Sequence, residues 1–361
     1  MVISLNIMKK LGMPLVGILT AIISITLVLC GNPGNMGFCI ACFLRDTAGA
    51  VGLHRAAPFQ YVRPEILGLI FGSFIISLVK NEFKPRGGSA PVTRFILGFA
   101  LMIGALIFLG CPLRMALRIA GGDLNAVVGL FGFATGIFSG VVFLNKGYSL
   151  KRSYDVSKTD GLLTPISTLI LLGIFIVAPS ILIFSTQGPG SMHAPIVVAL
   201  IAGLIMGGIG FISRLCFVAS IRDSVLFKSY SMLSALIALI IAGMIGNLIF
   251  GSFNPGFEGQ PIAHTDGLWN FLGMTLVGFC SILLGGCPFR QLVLTGSGNS
   301  DSAVTVLGMI AGSAFAHNFE MASSSAGVTR NGMIGFVLVS VVVLFIAIFN
   351  TFTKKKEKRV S

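Results

Sequence analysis

Long apolar runs alternate with short polar or Gly/Pro-rich connections along this chain. Ten of the runs approach the roughly 20 residues that a helix needs to cross a bilayer. They lie at about 14–30, 64–80, 94–110, 125–144, 162–184, 194–212, 230–251, 268–286, 302–319 and 332–352. Because 46 glycines and 14 prolines punctuate them, the pattern is neither a coiled coil nor a set of simple lipid-facing helices. It predicts an all-α polytopic membrane protein. The longest stretch without a strong apolar run is Cys30 to Arg63, which leaves no room for an ATP-hydrolysing domain, and no GxxxxGK[ST] motif occurs. A primary pump within this chain is excluded. Lys9 and Lys10 precede the first run, which ends without a small-residue cleavage motif, so that run is expected to stay in the membrane.

Composition sharpens the picture. Apolar residues make up 55% and charged residues only 10% of the 361 positions, against roughly 25% charged in soluble domains, and the mean hydropathy is +0.95. A water-soluble enzyme is ruled out. The formal charge of +13 would suggest nucleic acid in a soluble chain, but between membrane spans basic residues are topology signals, and no nucleic-acid partner is expected. Placing the N-terminus in the cytoplasm puts 19 of the 25 basic residues on the cytoplasmic side: two before the first span, five in the C-terminal tail and twelve in loops. The six left outside are Arg45, Arg55, Arg63, Arg114, Arg118 and Arg330. Five of them lie in Gly/Pro-rich, motif-bearing connections that could fold back into the membrane. Both termini are therefore expected in the cytoplasm.

The chain also repeats itself. Cys39 stands five residues before Arg45-Asp46, and Cys216 stands five before Arg222-Asp223, an offset of 177. GCPLR at 110–114 returns as GCPFR at 286–290, and Gly132 and Gly136 return as Gly308 and Gly312, all at an offset of 176. An ancestral duplication accounts for this, dividing the chain into a first repeat, 1–185, and a second, 186–361, that ends in a basic tail. Five spans per repeat, an odd number, would insert the second upside down relative to the first, giving two inverted repeats with short re-entrant helices meeting at the membrane centre.

Of seven cysteines, Cys39, Cys111, Cys216 and Cys287 occupy repeat-matched positions, whereas Cys30, Cys42 and Cys280 do not. A single membrane cysteine is more often a small apolar filler; retention of two positions in both repeats argues for function. Pro112 and Pro288 cannot continue a preceding helix but suit the first position of a new one, which places Cys111 and Cys287 at N-caps. Gly121 and Gly122 then stop a helix of about two turns. The two half-helices would turn free N–H groups and positive dipole ends towards a gap, an arrangement that binds anions. The breaker run NPGNMG at 32–37 places Cys39 in the first turn of another short helix, with Asp46 on its face and Arg45 directed towards a neighbouring segment. The pairs Arg45-Asp46 and Arg222-Asp223 either clamp re-entrant helices or touch substrate. Arg114 and Arg290, one turn beyond their cysteines, either add to an anion-attracting field or snorkel to the interface.

Other chemistry is poorly supported. The four histidines His54, His193, His264 and His317 are scattered, and no second close pair accompanies Cys39-x-x-Cys42, so no metal or other cofactor is expected. Cys39-Ile-Ala-Cys42 formally matches a redox CxxC, which makes a membrane thiol-disulfide oxidoreductase the alternative reading, but the second repeat has Ala219 where the second thiol would stand. GSGNS at 296–300 reads as a linker. The tail Lys354 to Arg359 reads as a cytoplasmic anchor or a dock for an acidic partner. No central carboxylate stands out as a coupler of protons or sodium.

GFCIACFLRD at 37–46, GCPLR, the second C-x5-RD and GGCPFRQLVLTGSGNSD at 285–301 together resemble the YeeE/YedE family of bacterial sulphur-compound transporters, closest to its selenium-linked YedE branch. The resemblance spans nearly the whole chain. It implies a bacterial inner-membrane carrier, not an enzyme, that imports thiosulfate or a selenium analogue by passing it between thiols; by motif these are Cys39, Cys111 and Cys287, with Cys216 as the fourth. It also implies a cytoplasmic TusA-like sulfur or selenium carrier as a partner, beside the small anionic substrate and the lipid bilayer. Cys42 departs from the single cysteine expected in the thiosulfate branch. An oxyanion with a soft terminal atom suits such a path, since its oxygens can meet helix N-termini and its soft end weak S–H donors.

Overall fold

The computed structural model describes the backbone of residues 2–360 and side-chain surroundings from 12 to 351, so the side chains of Lys9, Lys10 and the tail Lys354 to Arg359 lie outside the described residues. The first half contains α1 (Val2–Leu29), α2 (Ile40–Ala50), α3 (Pro64–Val79), α4 (Pro91–Phe108), α5 (Pro112–Ala120), α6 (Leu124–Asn145) and α7 (Lys158–Val177). The second contains α8 (Ile196–Ser213), α9 (Phe217–Leu226), α10 (Ser231–Ile249), α11 (Gly267–Leu284), α12 (Pro288–Gly296), α13 (Ser300–Asn318) and α14 (Arg330–Val360). A two-residue ribbon pairing Arg86–Gly87 with Tyr154–Asp155 is the sheet among the described residues. The protein is an all-α polytopic membrane protein.

Nine helical stretches among the described residues are long and apolar enough to cross a membrane. The tenth expected span corresponds to α13, whose 19 residues are diluted by Ser300, Asp301 and Ser302 at one end and His317 and Asn318 at the other. The four short helices α2, α5, α9 and α12 have 11, 9, 10 and 9 residues. At 1.5 Å per residue they reach roughly half of a 30 Å hydrocarbon core, so each can enter the bilayer but not cross it.

Prolines set many of the boundaries: α3, α4, α5 and α12 each begin with proline in the first turn, where a missing N–H costs nothing. The fifth span is shorter than its apolar pattern. That pattern ran to about 184, but α7 stops at Val177 because Pro179 cannot donate to the helix and pushes Ala178 to φ −132°, ψ 55°. The chain then crosses the end of the bundle as a 3₁₀ turn and loop.

Long helices pack in reciprocal pairs. α4 lies against α13 and α6 against α11, while α3 lies against α8 and α1 against α10. In the first set the counterparts lie 176 residues apart, α4 with α11 and α6 with α13, so exchanging each helix for its counterpart exchanges the two pairs. The contacts match residue by residue. A Cβ on Gly132 would overlap the carbonyl oxygen of Phe271, and one on Gly308 that of Phe95; likewise Gly136 abuts the Thr275 carbonyl and Gly312 that of Phe99. Phe95 and Phe99 stand 176 residues before Phe271 and Thr275. Glycine at these crossings lets backbones approach closely, the device by which helices associate where lipid removes any hydrophobic drive.

Connections gather at two ends, as alternating crossings require. At one end Asn32 bonds Ala194, Arg63 bonds Pro189 and Met192, and Leu124 bonds Gly256. At the other, Arg86 bonds Gly298 and Ser89 bonds Asp301 and Leu150.

Candidate functional site: paired thiols at helix N-termini

All four repeat-matched cysteines are N-caps of short helices, each in extended backbone: Cys39 on α2, Cys111 on α5, Cys216 on α9 and Cys287 on α12. Cys39 thus sits one position before the helix rather than in its first turn, and its sulfur accepts the Cys42 N–H at 3.4 Å. In the second half, Arg214 in the left-handed region (φ 57°) ends α8 and turns the chain into Cys216.

The short helices meet nose to nose within each half. The Cys39 and Cys111 sulfurs are 3.9 Å apart, and those of Cys216 and Cys287 are 3.8 Å apart. The close partner of each GCPxR cysteine is thus the cysteine capping the C-x5-RD helix of its own repeat. All four side chains are buried, Cys216 the least so at 6% exposure. Cys42 is also fully buried, while Cys280 lies within α11 and Cys30 just beyond the end of α1, neither on a short helix.

Charges surround the first pair closely. Asp46 receives Arg45 and Arg63, each at 2.7 Å, and all three side chains are fully buried. Arg45 pairs with Asp46 and lays its guanidinium over the Phe59 ring at 3.9 Å, while Arg63 supplies the long-range tie: it donates to the Pro189 and Met192 carbonyls at 2.7 and 3.0 Å. Sequence reasoning noted Arg63 only as a basic residue outside the cytoplasm. The available signal was a guanidinium in an otherwise apolar chain, which needs an interior partner.

Arg114 does not snorkel. It is fully buried and donates to the carbonyls of Leu109, Asn35 (3.2 Å), Ile262 (3.1 Å) and Pro261 (3.4 Å), and to the Cys42 sulfur at 3.4 Å. None of the ion pairs among the described residues includes it. One turn on, Arg118 is neutralised by Asp123 at 2.6 Å. The second repeat is wetter and looser: the side chains of Arg222 and Asp223, paired at 2.8 Å, are 25% and 21% exposed, and Arg290 reaches the Gly210 carbonyl at 3.4 Å.

Chemically, each thiol pair lies where two sets of free helix N–H groups and two positive dipole ends converge. Neither Arg114 nor Arg290 joins an ion pair among the described residues; Arg114 reaches its thiol pair through Cys42, whereas Arg290 bonds the Gly210 carbonyl. Such a place attracts an anion and offers soft, weak donors to whatever enters.

Residues 212–358 match the family described as sulphur transport. The match takes in Cys216, Arg222, Asp223, Cys287 and Arg290, the whole second-repeat half of the site. No curated protein matches the chain. Fold and match together support a multi-pass membrane transporter of a sulfur compound.

Proposed function

We propose that this protein imports a small sulfur or selenium oxyanion, thiosulfate or a selenium analogue, across a bacterial inner membrane, handing it between the thiol pairs Cys39/Cys111 and Cys216/Cys287. The observation that carries this reading is the arrangement of two close thiol pairs, each capping two short helices, with buried Arg114 left without a carboxylate. A permanently buried cation is costly unless paired; an anion lodged at the thiols would complete it. Several modest contacts in series suit passage better than one deep trap, because an ion must also leave.

In this reading the chain consists of two inverted repeats divided near residue 185, with both termini cytoplasmic. The Cys39/Cys111 pair then caps helices that run on to the outer end, and Cys216/Cys287 caps helices that run on to the inner one. The basic tail would stand where a TusA-like cytoplasmic sulfur or selenium carrier could dock, and the protein acts as a transporter rather than an enzyme. The family match over the second repeat supports sulfur as the cargo element. Proteoliposomes containing only this chain, offered labelled thiosulfate and labelled selenite, test the proposal. Saturable uptake of either supports it; permeability no greater than that of empty vesicles would refute it.

A further inference from the structure

Glu65 lies in the first turn of α3 and is fully buried. Its Oε1 accepts a hydrogen bond from Asn32 Nδ2 at 2.8 Å, whereas no protein donor reaches Oε2. The charged and titratable groups acting on it are Arg63, Asp46 and Tyr61, and the packed helix α2 also carries Arg45, which shares Asp46 with Arg63. Arg63 is committed to Asp46 and to two carbonyls. The packed helix α8 carries no charged residue. α7 brings Lys158 and Asp160 at its start, towards the opposite end of the bundle, and α12 has its Arg290 against Gly210. An ionised carboxylate with one oxygen unsolvated inside a membrane protein is expensive; the un-ionised acid is much less so.

Asn32 makes the acid's state mechanically relevant. Its amide also donates to the Gly37 carbonyl at 3.0 Å and its oxygen accepts the Ala194 N–H at 2.8 Å. One side chain therefore ties the start of α3, the breaker loop leading into Cys39, and the loop before α8.

We propose that Glu65 is a proton-binding site of the carrier, holding its proton while the Asn32 bridge is closed and releasing it to water when that bridge opens, so that a proton moves with the anion. In the release step the O–H bond breaks, the electron pair stays on the carboxylate, and water takes the proton. The coupling rests on the import reading above; the protonated state does not.

Two measurements test this with the full chain in lipid vesicles. Infrared difference spectra of wild type, Glu65→Gln and Glu65→Asp should show the carbonyl stretch of an un-ionised acid in wild type, lost in the glutamine variant and shifted in the aspartate variant. Absence of that band in wild type overturns the site, whatever the transport result. With a pH-sensitive dye trapped in the vesicles, thiosulfate entry through wild type should carry protons, whereas Glu65→Gln should pass thiosulfate downhill without them. Thiosulfate entry without protons in wild type, or unchanged proton movement in Glu65→Gln, overturns the coupling. Failure of wild type to pass either thiosulfate or selenite refutes the import reading instead.

Discussion

The Arg114 guanidinium meets the Cys42 sulfur at 3.4 Å, joining the unpaired cation of the GCPLR helix to a thiol that has no counterpart in the second repeat. The second repeat has no such contact, since Ala219 replaces a cysteine and Arg290 turns to a backbone carbonyl. We expect the first pair to be the stronger anion site, because its guanidinium is fully buried and touches a thiol directly. We predict that Arg114→Gln weakens thiosulfate uptake by roughly 10- to 100-fold, the loss expected when a charged hydrogen-bond donor is removed, chiefly through a raised KM. Arg290→Gln should cost less. Uptake kinetics of the two variants decide it, and a larger effect at Arg290 would reverse the ranking.

Thiol loss should follow position. Cys111→Ala and Cys287→Ala are each expected to lower uptake by about tenfold or more, at about 1.5–3 kcal/mol per lost contact to a charged ligand, with folded protein still in the membrane. Cys30→Ala and Cys280→Ala should leave transport near the wild-type level. Uptake normalised to membrane content checks this; equal losses at all four positions would make the thiols packing residues.

Substrate preference should follow softness. Sulfate offers only hard oxygens and is predicted to compete poorly with thiosulfate. Cys39→Ser keeps size and hydrogen bonding but removes polarizability, so we expect it to lose thiosulfate transport. Full activity with unchanged discrimination against sulfate would contradict a thiol path.

Buried histidine gives a pH signature. His264 Nε2 lies 2.8 Å from the Ile107 carbonyl, and desolvation lowers its pKa below the ordinary value of 6.5. The unfolded chain therefore binds a proton that the folded chain resists, so stability falls as pH drops below 6.5 and is regained above it. Thermal unfolding in detergent between neutral pH and pH of about 5 should show this fall, and His264→Asn should flatten it. An unchanged slope in the variant would place the dependence elsewhere.

Topology and packing can be separated. Tags at Lys84 and Gly259, both exposed, should report opposite sides of the membrane; Ser89, though in the same connection as Lys84, is buried and bonded to Asp301 and cannot carry an insertion silently. Gly136→Val should lower stability by about 1–3 kcal/mol through overpacking against α11, whereas Gly267→Ala, with nothing within 4 Å of the new Cβ, should be close to neutral.

Much of the fold was legible because membrane spans follow from length and apolarity alone, and Pro64, Pro91, Pro112 and Pro288 mark helix starts that the structure keeps. The matched glycines and cysteines were legible, and the glycines stand at corresponding helix crossings. Spatial pairing was not: Cys39 resembles Cys216 in sequence but touches Cys111, 72 residues away, because likeness between repeats reports ancestry and not contact. Glu65 also escaped notice. A lone carboxylate at the start of a span reads as an interface residue, and only the loops folded over that end of α3 reveal it as buried.

The reciprocal pairing of helices has a consequence for biosynthesis. α1 is made first, yet its main neighbour α10 emerges about two hundred residues later, and α4 must wait as long for α13. Neither half can complete its packing alone, so the nascent chain dwells in the bilayer with its glycine faces against lipid until the ribosome has nearly finished.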